Sequence, residues 1–146
     1  MHLQLFHVAY FKIEAVEPSN RPKGISSFKS NNSKIIYRNA LVVFTSIETH
    51  DNLKSVITAS REIRKIYDNL NNSSNKGCKQ IVIIPYSHQR NILKNSKQAK
   101  KLIDELYNSI NSKKKFGNVF LGDFGFSNKW SMSVKSHKLS CLYRKA

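Results

Sequence analysis

The sequence predicts an α/β (α+β) domain, a mixed or mainly antiparallel sheet with two long helices packed on one face. Three observations carry this. Ala40–Ile47 and Ile81–Ile84 are near-continuous apolar runs, the pattern of strands buried on both faces. Two longer stretches space their apolar residues helically: Val56, Ala59, Ile63, Ile66, Tyr67 and Leu70, then Ala99, Leu102, Ile103, Leu106 and Ile110. The element order reads β, β, β, α, β, α, β, β, so strands outnumber helices and each helix is long enough to cover a sheet face. At 146 residues the chain makes one domain, residues 1–146, with room for a proper core and no internal repeat.

Leu3–Ala15 carries Phe6, Val8, Tyr10, Phe11 and Ile13 without Gly or Pro, and reads as a strand bent or turned near Ala9 that continues as a second strand. His7 and Tyr10 fall here, residue types that are more often packed or hydrogen-bonded than catalytic. Pro18, Pro22, Gly24 and the Ser/Asn clusters give turn chemistry to a flexible basic loop at about 17–38, either closing on RNA phosphates or merely solvated. Asp51 or Asn52 caps the first helix, because a short side-chain oxygen reaches the free N–H groups of the first turn. Arg61, Arg64 and Lys65 lie off its apolar stripe and read as a solvated face. Asn95 with Gln98 resembles a capping box at the start of the second helix. Asn118–Leu121 is a short strand, and Gly122-Asp123-Phe124-Gly125 is a turn. From Asn128 onward, Trp130, Met132 and Val134 alternate with Lys129, Ser131 and Ser133, a half-buried strand of period two.

Charge narrows the function classes. Lys and Arg outnumber Asp and Glu 25 to 9, a formal net charge of +16. That excess favours a polyanion partner, nucleic acid before membrane, over simple solubility or biased residue usage. No apolar run approaches the ~18–20 residues of a membrane span, and no secretory signal is visible. Cys78 and Cys141 are too few for a disulfide framework and read as reduced thiols in a cytoplasm. His137 and Cys141 stand four apart, which alone is a weak zinc signal, so no metal and no cofactor are expected.

The stretch richest in chemistry is Ile84-Pro85-Tyr86-Ser87-His88. Pro85 cannot donate to a sheet ladder and ends the buried strand. A phenol, a hydroxyl and an imidazole follow, at the strand end where α/β folds usually put their chemistry. The same residues would equally serve an ordinary surface turn.

Three stretches together resemble one family, the N-terminal editing domain of archaeal threonyl-tRNA synthetases, which has the fold of D-aminoacyl-tRNA deacylases. The opening with His7 and Tyr10 resembles the family's opening. Ile84–His88, with Leu93 and Ala99 beyond, resembles its Tyr-Pro-(Phe/Tyr)-Ala-His segment. Phe124-Gly125, Trp130, Lys135, His137 and Leu139 keep the mutual spacings of its C-terminal motif. The resemblance implies hydrolysis of serine wrongly esterified to threonine tRNA, with the acceptor end of that tRNA as partner, a homodimer as assembly, and a possible association with the rest of a synthetase. Carried over, it implies that Pro85, Tyr86, Ser87 and His88 line a pocket faced by Phe124, Gly125, Phe126 and Ser127. His88 would stand near the reacting water or the terminal adenosine, across one small cavity from Asn128. Asn128 stands where the family has its catalytic lysine, and Cys141 where it has a carboxylate. An active deacylase and a catalytically degenerate tRNA-binding or architectural domain therefore both remain open. Lys129 is no substitute for that lysine, because strand neighbours point to opposite faces.

Overall fold

The computed structural model describes residues 1–18, 34–72, 77–86, 95–113, 116–124 and 126–146; at 15–18 and 126–128 it describes the backbone alone. The elements follow in the order β1 (His2–Pro18), β2 (Ile35–Ser46), α1 (Leu53–Asn72), β3 (Gln80–Pro85), α2 (Ser96–Asn111), β4 (Asn118–Leu121), β5 (Phe126–Val134) and β6 (Cys141–Lys145). The sheet is mixed, as the sequence predicts. Its strand order is β4-β3-β2-β1-β5, with β6 also pairing β1. β2, β3 and β4 run parallel, while β1 is antiparallel to β2, β5 and β6.

β1 organises the molecule. The predicted pair of strands is one continuous strand, because Ala9 is absorbed as an irregularity rather than a turn. Register against β5 shifts between Val8 and Tyr10, and Asn39, which falls opposite Ala9 between the pairs Val8–Ala40 and Tyr10–Arg38, takes a positive φ of 50°. Asn tolerates that backbone region better than most residues. One edge of β1 pairs with β2 over His2–Ile13. Its other edge pairs with β6 over His2–Phe6 and then with β5 from Val8 on. The basic segment expected at about 17–38 is strand at both ends, since β1 reaches Pro18 and β2 starts at Ile35; residues 19–33 lie outside the described ones.

Both helices cover the same sheet face. Their buried residues are the apolar stripes read from the sequence, with Ser60 added on α1. They close over Leu3, Leu5, Leu41, Val43, Ile81 and Ile83 in one continuous cluster. Asn52, not Asp51, caps α1: its Oδ1 accepts from Lys54 N at 2.8 Å. Asp51 is fully buried and is instead ion-paired with the Met1 ammonium. Asn95 caps α2 through Lys97 N at 3.0 Å, a single cap bond in place of the expected box. Arg64 leaves the solvated face expected for it. Its guanidinium donates to Ser109 Oγ on α2 at 3.1 Å and lies over the Phe116 ring, tying the two helices together.

The opposite face holds a second cluster: Val8, Phe11, Ile13, Tyr37, Ala40, Val42, Phe44, Val82 and Ile84, with Phe6, Phe120 and Met132 against it. Here the sheet curls over itself. Trp130 pairs with Ile13, and Phe44 pairs with Gln4. Nine residues of straight strand would separate those levels by about 30 Å. Instead the Trp130 and Phe44 rings are 5.3 Å apart, so β1 coils sharply across its irregularity at Ala9.

Candidate functional site

Three segments meet at the C-terminal end of the parallel strands. The β2–β3 ladder runs to Thr45–Pro85 and is extended by Tyr86 N–H donating to Thr45 O at 2.9 Å. The turn after β4 is pulled against the same place, with Gly122 N–H donating to Ile83 O at 2.8 Å. A side chain at Gly122 would stand 2.9 Å from Ile84 Cδ1 and 3.7 Å from Pro85 Cδ, so this close approach uses the absence of a Cβ. The third segment is the middle of β5, brought in at Trp130 by the coil of β1.

Phe44 is the junction. It is 4 % exposed, and its ring meets Tyr86 edge-on at 5.9 Å, Trp130 at 5.3 Å, and Phe6 and Phe11 at 5.9 and 6.0 Å. Tyr86 and Trp130 are each 46 % exposed. Two half-open aromatic rings flanking a buried third make a surface able to stack planar groups. Around it, burial and then the Asp123 carboxylate raise the Tyr37 phenol above its ordinary value, keeping it a neutral donor. Cys141 pairs with Phe6, which places its exposed thiol beside the same junction.

Of the residues singled out in the sequence, Pro85 and Tyr86 lie at this junction. Phe124 is half-buried against the helix-side cluster. Ser87, His88 and Gly125 lie outside the described residues, and Phe126, Ser127 and Asn128 are described by backbone only, with Asn128 paired to Ala15. Lys129 is exposed and pairs with Glu14. Sequence reading missed Phe44. The available signal was an aromatic residue among the aliphatics near the C-terminal end of a buried strand. It also missed a second polar cluster, in which His7 is fully buried against His137, Asn39 and Lys135. Among the described residues no group of His, Cys, Asp and Glu could hold a metal ion, and no helix is long and apolar enough to cross a membrane.

Residues 1–146 match the family model described as the Archaea-specific editing domain of threonyl-tRNA synthetase. The threonine–tRNA ligase editing subunits of Saccharolobus solfataricus and Aeropyrum pernix are each 28% identical, over 99% of this chain and 34% and 31% of their own lengths. The chain thus spans about a third of the length of those curated relatives. A solved structure titled c-Myc DNA Unwinding Element Binding Protein superposes with a TM-score of 0.70, covering 100% of this chain and 99% of that one at 9% identity, a likeness of fold alone. The fold class is the expected D-aminoacyl-tRNA deacylase-like mixed sheet with both helices on one face. With the family model matched from end to end, the chain belongs to the archaeal editing domains of threonyl-tRNA synthetase.

Proposed function

We propose that this domain proofreads threonine tRNA by hydrolysing the ester of mischarged Ser-tRNA(Thr), in the cytoplasm, as the editing domain or a separate editing subunit of a threonyl-tRNA synthetase. The observation that carries the reading is the packing of both Tyr86 and Trp130 on the Phe44 ring. It brings the segment leading into Ser87 and His88 to the strand that bears Phe126, Ser127 and Asn128. The +16 charge suits an RNA substrate.

Serine and threonine differ by one methyl, worth only about 1–3 kcal/mol in a binding pocket, so a hydrolytic second sieve is needed. Backbone groups of 85–88 and 124–127 hold the serine and a water, and threonine's methyl displaces that water. His88, two residues beyond Tyr86, orients the water. Asn128 shares its strand face with Trp130 by period-two alternation and donates a hydrogen bond to the substrate or the developing oxyanion. An amide cannot exchange a proton as the family's lysine can, which costs about 10²–10⁴ in rate. That substitution also supports a second reading, a domain that binds the tRNA acceptor end without turnover. The homodimer implied by the family would form through the sheet ends, since β4 and β5 each pair on one side only among the described strands.

The test is deacylation of Ser-tRNA(Thr) and Thr-tRNA(Thr) beside His88→Ala. Ser-tRNA is expected to decay above background, Thr-tRNA to be spared, His88→Ala to fall to background, and Asn128→Lys to accelerate the reaction. Binding of tRNA with no ester loss in the wild type or in Asn128→Lys would leave the binding-module reading.

A further inference from the structure

His7 sits where β1 changes partner from β6 to β5, and all of its polar groups are engaged. Its N–H donates to Ser140 O and its carbonyl accepts from Lys135 N, both at 2.9 Å, so the backbone of one residue grips both ends of the β5–β6 turn. Its ring is fully buried. Nδ1 lies 2.8 Å from His137 Nε2, and Nε2 lies 3.3 Å from Asn39 Oδ1.

The neighbours fix where the protons are. Leu139 N–H donates to His137 Nδ1 at 3.2 Å, so that nitrogen is unprotonated and His137 carries its proton on Nε2. His137 Nε2–H therefore donates to His7 Nδ1. His7 in turn carries its proton on Nε2 and donates to Asn39 Oδ1, which also accepts from the Lys135 ammonium. Asn39 Nδ2 closes the chain by donating to Gly77 O at 2.8 Å. Every donor meets an acceptor only when both imidazoles are neutral. A proton added at His7 Nδ1 would point at His137 Nε2–H, and one added at His137 Nδ1 would point at Leu139 N–H. Either addition sets donor against donor inside the fold.

The surroundings give an imidazolium no help. The turn contributes Lys135 and His137, β2 contributes the uncharged Asn39, and the stretch before β3 contributes Cys78, whose Sγ is 3.7 Å from Asn39 O. Among the described residues no carboxylate is hydrogen-bonded or ion-paired to either ring. Burial and then the Lys135 charge hold His7 below its ordinary value.

We propose that His7, His137, Asn39 and Lys135 form a proton-sensitive clamp that holds the β5–β6 turn on β1 at neutral pH and releases it when the histidine pair takes up a proton. The clamp is independent of the editing reading, because its parts are the turn and the two strands of the fold. Release loosens the joint on which both β5 and β6 hang, and with it the strand pairs on either side of His7.

The test uses the ¹⁵N-labelled full chain. At pH 7.5 the ring nitrogen shifts are expected to report both histidines neutral, each with its proton on Nε2. Amide exchange, corrected for intrinsic rate, is expected to show the His7 and Lys135 amides losing protection by about tenfold per pH unit once one-proton opening sets in. The Val42 and Val82 amides should hold theirs. His7→Gln leaves only His137 of the pair to take up a proton and should weaken this pH dependence, and the double variant His7→Gln/His137→Gln should abolish it. His137→Gln should also weaken it, because the amide can turn its oxygen toward a protonated His7 Nδ1, and it serves if the first variant does not fold. Either ring protonated or in the other tautomer at pH 7.5 would overturn the proposal, as would an unchanged pH dependence in the glutamine variants.

Discussion

The two faces of the sheet are built from different residues and do different work. On the helix side Leu3, Leu5, Leu41, Val43, Ile81 and Ile83 meet Ile63, Leu70, Leu102 and Leu106, an aliphatic layer closed by two helices. On the other side Phe11, Tyr37, Phe44 and Phe120 lie over Val42 and Val82, and Tyr86 and Trp130 remain half open at the rim. Aliphatic side chains interdigitate and fill volume at little polar cost. Aromatic rings cover a curled surface with fewer residues and leave edges and faces able to meet another flat group. The helix side holds the larger aliphatic core, and the curled side leaves exposed the aromatic rim that the proposed function uses.

The largest effect that would test this division lies on the helix side. Leu106 is fully buried between α2 and the sheet. Leu106→Ala is expected to lower unfolding free energy by about 2–5 kcal/mol in denaturant titration. A loss near zero would mean that the helix layer is not the stabilising one.

A smaller effect probes the helix side alone, through pH, because His7 pairs with Leu41 and shares that face with Cys78. His7 is held below its ordinary 6.5. The unfolded chain therefore binds a proton near pH 6.5 that the fold resists, and stability present above that pH is lost as pH falls toward the lowered value. Cys78, on the helix side, is pushed up to about 11 from 9.0 by burial. Here the unfolded thiol ionises first, so stability falls as pH rises between about 9 and 11. Unfolding midpoints measured across pH should fall on both sides of a neutral plateau. His7→Gln should flatten the acid limb, and Cys78→Ala should make the alkaline limb shallower. An acid limb unchanged by His7→Gln would assign it to other groups.

How far the sequence revealed these features follows the same division. Helix stripes and β4 were legible because each depends on local periodicity, and Leu102, Ile103 and Leu106 need only a nearby apolar sheet to be buried. The continuity of β1 was not, because Ala9 is absorbed through Asn39, a residue on another strand. Arg64 read as solvated since its partner Ser109 lies on a different helix. The period of β5 was right, but period does not fix depth. β5 ends the sheet path, and Trp130 and Val134 on its apolar face stay 46 % and 40 % exposed. At the candidate site, residue types alone marked Pro85-Tyr86, while the approach of Trp130 depends on the coil of β1, which no single segment encodes. His7 and His137 stand 130 positions apart, and neither flank carries a sign of their pairing.

The smallest change in stability decides the comparison. Trp130 rests on the Phe44 ring and is 46 % exposed, so Trp130→Ala removes that ring contact and leaves no sealed cavity. The expected cost to folding is about 1 kcal/mol or less. If the rim stacks a base of the tRNA end, the same substitution removes about 1–3 kcal/mol of binding, roughly 5- to 150-fold in affinity. Denaturation and tRNA titration of the one variant therefore should move by different amounts, recognition more than folding. Leu106→Ala should show the reverse under conditions where it remains folded. If Trp130→Ala instead unfolds the domain as readily as Leu106→Ala while the folded fraction binds tRNA normally, the aromatic rim belongs to the core, and the division between the two faces fails.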